Sequence, residues 1–178
     1  MEKKDEKISI LLDKIKKFKE KDQEFDLSQK EDLGVAIMNL ISLEEHFFFT
    51  FEKTRDKKHL ELLNETRELR KKLLGEIVKN PEGEIWCISK HLLATSMRLM
   101  EVGAKKLSAG EKEKAKDLFD KAYTLWNIFW GLNLNIIEIK DVKTDNSSEE
   151  TIKLDGKKTT VWDKLGNIIK EILDCCKE

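Results

Sequence analysis

A chain of 178 residues is long enough for one domain with a sizeable core, and a hydrophobic content of 39% excludes a compositionally disordered protein. The 34 Lys and Arg residues nearly balance the 35 Asp and Glu residues, so the net charge of −1 argues against a dedicated DNA- or RNA-binding protein. Eight Gly residues and one Pro residue are few for this length and favour long helices over many-turned β-structure.

Cysteine usage and hydropathy predict a cytoplasmic protein. The three Cys residues, with Cys175 and Cys176 adjacent, do not resemble a disulfide framework, so we expect reduced thiols. The first 22 residues interleave acids and bases with apolar positions, unlike a secretory signal peptide. The least polar segments carry charges within the run, so we expect no membrane span.

Residues 1–26 predict an additional N-terminal helix. Apolar residues recur there at helical spacing, between about Glu2 and Asp22, as in an amphipathic helix. They are Ile8, Leu11, Leu12, Ile15 and Phe18.

Residues 27–135 predict an up-down antiparallel four-helix bundle. Its first helix begins at a capping box, Ser28 with Glu31, and continues to Phe51. The second runs from His59 to about Val78, where the sequence Asn-Pro-Glu-Gly interrupts the helical pattern. The third covers residues 84–107, and Ser108 with Glu111 predicts the cap of the fourth. Short connections make successive helices antiparallel, so the fold class is all-α.

Residues 136–178 predict a small C-terminal extension with a β-hairpin and a helix. Asp155-Gly156 between two strand-like runs is a hairpin signal. Thr160 with Asp163 predicts the start of a last amphipathic helix, whose apolar stripe must dock on the bundle or on a partner. The stripe consists of Trp162, Leu165, Ile169, Ile172 and Cys176.

Helical periodicity places several polar residues on the inner faces of the bundle. Glu44 falls near the middle of the inner face of its helix, where a carboxylate must be paired, hydrogen-bonded or protonated. Thr66 and Arg70 fall on the inner face of the next helix, beside Leu62 and Leu63, and Arg70 leans back towards the level of Glu44. We therefore predict a Glu44–Arg70 ion pair.

The same argument extends this polar layer to the last two helices of the bundle. Ser96 or Arg98 of the third helix is predicted near Glu44, His91 lies on the flank of Arg98, and Trp126 closes the layer. Two interpretations follow. The layer is either a buried ion-pair network that sets the helix register, or a pocket that binds a small anionic ligand.

Metal and catalytic sites receive weaker support. Cys87 and His91 share a helical face and would supply two metal ligands, with His59 or Glu44 as a third, but zinc requires three or four. None of the three His residues follows a Glu by three positions, which excludes a ferritin-like di-iron pattern. A Cys–His nucleophilic pair lacks an orienting third residue. We predict no cofactor and assign no catalytic residue.

The first bundle helix is apolar nearly all round. Phe49 points away from Glu44, and Val35 and Met38 are predicted on the same outer side, so another surface must cover them. We therefore predict a non-catalytic cytoplasmic interaction protein that binds a protein partner or self-associates, without nucleic acid or membrane. The alternative is a ligand- or metal-binding protein or enzyme that uses Glu44, Arg70, His91 and Arg98.

Overall fold

The computed structural model describes residues 27–79, 83–138, 151–154 and 157–160. In these residues the helices are α1 (Leu27–Thr54), α2 (Lys58–Ile77), α3 (Glu84–Ser108) and α4 (Lys112–Asn133), and the strands are β1 (Thr151–Leu154) and β2 (Lys157–Thr160). The prediction of an all-α helical bundle is confirmed. The predicted N-terminal and C-terminal helices lie outside the described residues.

The two strands pair with each other in antiparallel register. Thr151 lies opposite Thr160, and Leu154 lies opposite Lys157. The predicted extension of hairpin plus helix, and the division of the chain into three segments, stay predictions.

Two tight turns join the helices in pairs. Arg55 follows the last residue of α1 and has a positive φ of 58°. Asp56 Oδ1 accepts a hydrogen bond of 3.0 Å from the Lys58 N–H at the start of α2. Gly110, with φ of 78°, makes the corresponding turn between α3 and α4. The predicted capping role of Ser108 is wrong, because Ser108 is the last residue of α3 and its hydroxyl donates to the carbonyl of Ala104.

Contacts along the helices show two antiparallel hairpins, α1–α2 and α3–α4. In the second hairpin, Ser96 Oγ donates to the carbonyl of Ala122 at 2.8 Å, and Asn133 Nδ2 donates to Ser89 Oγ at 2.9 Å. Gly103 completes this close-packed face, since a Cβ there would lie 2.7 Å from Phe119 Cε1.

The hairpins pack with α1 and α3 running in the same direction. Gly34 of α1 lies against the rings of Trp126 and Trp130, and Glu45, farther along α1, pairs with Arg98 of α3. The two hydrogen bonds between α3 and α4 place Trp126 level with residues that precede Arg98 in α3. Gly34 and Glu45 of α1 therefore contact the second hairpin in the same order in which α3 runs. Both turns therefore lie at one end of the bundle, which we call the turn end.

The hydrophobic core lies away from the turn end and receives side chains from all four helices. Trp126 and Trp130 pack edge to face, with ring centroids 5.7 Å apart, a favourable arrangement for aromatic rings. The buried cluster consists of Ile37, Met38, Leu74, Ile77, Val78, Leu93, Trp126, Phe129, Trp130 and Ile136.

The predicted orientation of Met38 is wrong, and Leu62 is exposed although it was predicted on an inner face. Met38, predicted on the outer side, is buried in the core, and Leu62, predicted on the inner face, is 42% exposed. The error at Met38 arises because periodicity identifies one apolar arc, whereas α1 packs against α2 on one flank and against the α3–α4 hairpin on the other. Leu62 is exposed because it lies near the start of α2, at the turn end and beyond the core. The buried arc of α1 is therefore wider than the prediction assumed.

The turn between α3 and α4 carries a titratable group with a testable pKa. Hydrogen bonds from Lys106 and Lys114 lower the pKa of Glu111 from 4.5 to about 2. The stabilisation that these hydrogen bonds contribute is fully present above the unfolded-state pKa of 4.5. It is lost as the pH falls towards the folded-state pKa of about 2. We expect the side-chain NMR signal of Glu111 to titrate near pH 2, and Lys106→Ala to raise that midpoint. A midpoint near 4.5 in the parent protein would contradict the assignment.

Candidate functional site

A layer of ion pairs crosses the middle of the bundle. Arg70 of α2 donates to Glu44 of α1 through two nitrogens, Nε to Oε1 at 2.7 Å and Nη2 to Oε2 at 3.2 Å. The side chain of Arg70 is 3% exposed and that of Glu44 is 16% exposed. This contact confirms the predicted Glu44–Arg70 pair, with the two-pronged geometry that guanidinium and carboxylate favour.

The next residue of α1 binds a third helix. Glu45 Oε2 accepts a hydrogen bond from Arg98 Nη2 of α3, at a site where both side chains are about half exposed. Arg98 was predicted near Glu44, but it pairs with Glu45, the next residue of α1. We call Glu44, Glu45, Arg70 and Arg98 the ion-pair layer.

The two pairs differ in energetic character because their burial differs. Removing one partner of the buried Glu44–Arg70 pair would leave an uncompensated charge, at a cost of about 3–5 kcal/mol. The exposed Glu45–Arg98 pair contributes at most about 1 kcal/mol, since water screens it. Consecutive carboxylates on α1 therefore fix α2 tightly and α3 weakly.

Of the remaining predicted site residues, only Thr66 lies near this layer. Thr66 is buried one turn before Arg70 on α2, whereas Cys87 and His91 are exposed on α3. His59 lies beside Phe47, with ring centroids 6.3 Å apart. The ring of Trp126 lies against Gly34, ten residues or about 15 Å along α1 from Glu44.

The described residues provide no metal-binding cluster. Among residues 27–79 and 83–138, no group of three or more His, Cys, Asp or Glu side chains is placed to hold a metal ion. Chemically, the ion-pair layer carries no excess positive charge for an anion, because each Arg is matched by a carboxylate. Its geometry suits a role in setting helix register.

A second set of buried polar groups was not predicted from the sequence. Asn127 Oδ1 and Trp130 Nε1 are buried without a hydrogen-bond partner, three residues apart on α4. The Asn127 side chain forms a hydrogen bond with Tyr123. The pKa of Tyr123 is raised, mainly by burial and to a smaller extent by the charge of Glu31. Asn127 lies within an apolar run, and the only sequence signal was the polarity of its amide.

Comparison of the chain with protein-family models, curated proteins and solved structures finds no match. The described helices include none with the length and apolar character to cross a membrane. The class that the fold and the ion-pair layer define is an all-α helical-bundle protein.

Proposed function

We propose that this protein is a non-catalytic cytoplasmic interaction protein that binds an amphipathic helix of a partner protein. The proposed binding surface is an apolar groove between the two hairpins at the turn end. We call it the hairpin groove and define it by Phe48, Leu62, Leu69 and Met100.

The α1 and α2 sides of the groove continue stripes that begin in the core. On α1, Ile37 and Ile41 face the core, and Phe48 follows seven residues after Ile41 on the same face. On α2, Leu73 packs against the core, Leu69 precedes it by four residues, and Leu62 precedes Leu69 by seven. Phe48, Leu62 and Leu69 are nevertheless 42–48% exposed.

The α3 side shows the same pattern. Leu93 is fully buried in the core, whereas Met100, seven residues later on the same face, is 47% exposed. The Glu45–Arg98 pair places Met100 near the level of Phe48, because α1 and α3 run in the same direction. Core-type stripes from three helices thus reach solvent beyond the ion-pair layer, which is the observation that carries the proposal.

A helix is the partner element that this surface suits best. Apolar residues at helical spacing on two separate hairpins form the walls of a groove, and an amphipathic helix buries its own apolar face in such a groove. Exposed apolar surface of this kind commonly marks a protein interaction site. Met100 adds a flexible side chain that adapts to the shape of a partner.

The alternative, a ligand site built from Glu44, Thr66, Arg70, His91, Arg98 and Trp126, has less support. Glu44 and Arg70 are bound to each other, and Arg98 is bound to Glu45. His91 is exposed, and Trp126 packs in the core. These placements favour a structural role for the layer.

Photo-crosslinking tests the groove. We would replace Met100 with benzoylphenylalanine in the full chain, irradiate the cells that make it, and use Asp120, an exposed residue of α4, as the control position. We expect one protein to be crosslinked more strongly from position 100 than from position 120. A helical peptide from its crosslinked region should bind the purified protein.

Affinity measurements with that peptide provide the matched control. Phe48→Ser should weaken binding by at least about 30-fold, the effect of losing a buried aromatic anchor. Phe49→Ser removes an equally exposed neighbour on another face of α1 and should leave the affinity unchanged. Equal crosslinking at positions 100 and 120, or equal effects of the two Ser variants, would contradict the proposal.

A further inference from the structure

The outward face of α1 is unusual for a solvent-exposed helix. Between Leu33 and Phe51 the only Asp, Glu, Lys or Arg residues are Glu44 and Glu45, and each is bound to an Arg of another helix. Within a chain that is 39% charged, this face is depleted of free charge. Its exposed members are Val35, Ala36, Asn39, Leu43, His46 and Phe49, which we call the outer stripe.

Charge depletion at an exposed surface distinguishes the centre of a protein interface from ordinary surface. Val35 is 46% exposed, Leu43 39% and Phe49 52%, although all three are large and apolar. Free charges return at both ends of the stripe, with Asp32 before it and Lys53 after it.

The order of residues along the stripe is self-complementary. If two copies of α1 lie antiparallel, with a two-fold axis beside Ser42 and Leu43, Asp32 of one copy faces Lys53 of the other. Each residue of such a pair is the same distance along the helix from the axis. The same operation sets Asn39 against His46, and it places Phe49 within one residue step, about 1.5 Å along the helix, of the level of Val35.

Each of these pairs is chemically matched. An acid meets a base, an apolar side chain meets an apolar side chain, and an amide meets an imidazole that it can hydrogen-bond. A parallel arrangement would instead set Asp32 against Asp32 and Lys53 against Lys53, and like charges in contact are unfavourable. A two-fold interface requires this kind of self-complementarity, in which each contact occurs twice.

We propose that the outer stripe is a homodimer interface, in which α1 packs antiparallel on α1 of a second copy. With its flanking charges, the stripe covers 21 residue steps from Asp32 to Lys53, or about 32 Å of helix. A single pair of helices gives an interface at the small end of the specific range. The expected dissociation constant is therefore about micromolar.

This interface is independent of the hairpin groove because it uses the opposite side of α1. A dimer joined through the outer stripe would leave Phe48 and the groove on each copy open. Loss of dimerisation and loss of partner binding are consequently separate results.

Sedimentation equilibrium of the full chain, from about 1 to 500 μM around the expected dissociation constant, tests the proposal. We expect Phe49→Glu to weaken dimerisation by more than about 100-fold. Val102→Glu changes an apolar residue of similar exposure on α3, outside both the outer stripe and the hairpin groove, and should leave the dimer intact. A monomer at every concentration, or equal loss with both variants, would overturn the proposal.

Charge reversal tests the antiparallel register. Asp32→Lys and Lys53→Asp should each weaken dimerisation by about tenfold, since each creates two like-charge contacts per dimer. The double variant restores opposite charges and should recover the parent affinity. Circular dichroism would show that each variant is folded. If the double variant is weaker than either single one, the proposed register is wrong.

Crosslinking between isotopically distinct copies identifies what covers the stripe. Benzoylphenylalanine at position 49 would be irradiated in a mixture of unlabelled and ¹⁵N-labelled protein. We expect crosslinks between light and heavy chains, at residues 32–39. Crosslinks confined to single chains, including any to residues 1–26, would show that the stripe is covered from within the chain and would overturn the dimer.

Discussion

Glu44→Ala should lower the free energy of unfolding by about 3–5 kcal/mol, because it leaves the buried Arg70 guanidinium without its carboxylate. Arg70 is 3% exposed, so water cannot replace the two hydrogen bonds that Glu44 accepts. Urea unfolding followed by circular dichroism at neutral pH measures the change. We expect a lower midpoint with an unchanged m-value.

The adjacent residue provides the control. Glu45→Ala removes a carboxylate from the same helix, but its partner Arg98 is half exposed and can be hydrated. We expect a loss below about 1 kcal/mol. The double variant Glu44→Leu/Arg70→Met should recover much of the stability lost in Glu44→Ala, since it removes the stranded charge. Similar losses for Glu44→Ala and Glu45→Ala would contradict this description of the layer.

Gly34→Ala should destabilise the protein by about 1–3 kcal/mol, although Ala is the better helix former. A Cβ at this position would lie 2.9 Å from Trp126 Cη2 and 3.3 Å from Trp130 Cζ2. Trp130 is fully buried, so the indoles have little space into which to move. Thermal and urea unfolding measure the effect.

Gly75→Ala is the matched control within α2. A Cβ added at Gly75 meets no atom within 4 Å, so only the helix preference changes. We expect this variant to be more stable by about 0.5–1 kcal/mol. If Gly34→Ala were stabilising to the same extent, the close approach of α1 to the two Trp rings would be wrong.

The Glu44–Arg70 pair was predictable because it depends on short-range geometry. The two helices are joined by a turn of few residues, so their register follows from counting residues outward from it. Glu44 and Arg70 were also polar residues on apolar faces, which required each to have a partner. Ser96 was likewise predicted in the polar layer inside the bundle, and it is buried.

Contacts between the two hairpins were not predictable in the same way. Arg98 binds Glu45, and Trp126 packs on Gly34, whereas both were expected beside Glu44. Ile77 ends α2 and Glu84 begins α3, so the sequence between them is longer than either tight turn, and counting residues across it does not fix the register of one hairpin against the other. Met38 is buried because of how the second hairpin packs against α1, and the periodicity of α1 does not predict that packing.

The sequence by itself determined the helices, the antiparallel pairing within each hairpin and the Glu44–Arg70 pair, because these depend on periodicity and on short connections. Only the tertiary structure decided which apolar residues remain exposed. Ile41 and Phe48 occupy the same stripe of α1, yet Ile41 packs against the core and Phe48 is open at the turn end. The reason is that burial depends on where the second hairpin lies, and that placement is a property of the packed helices together.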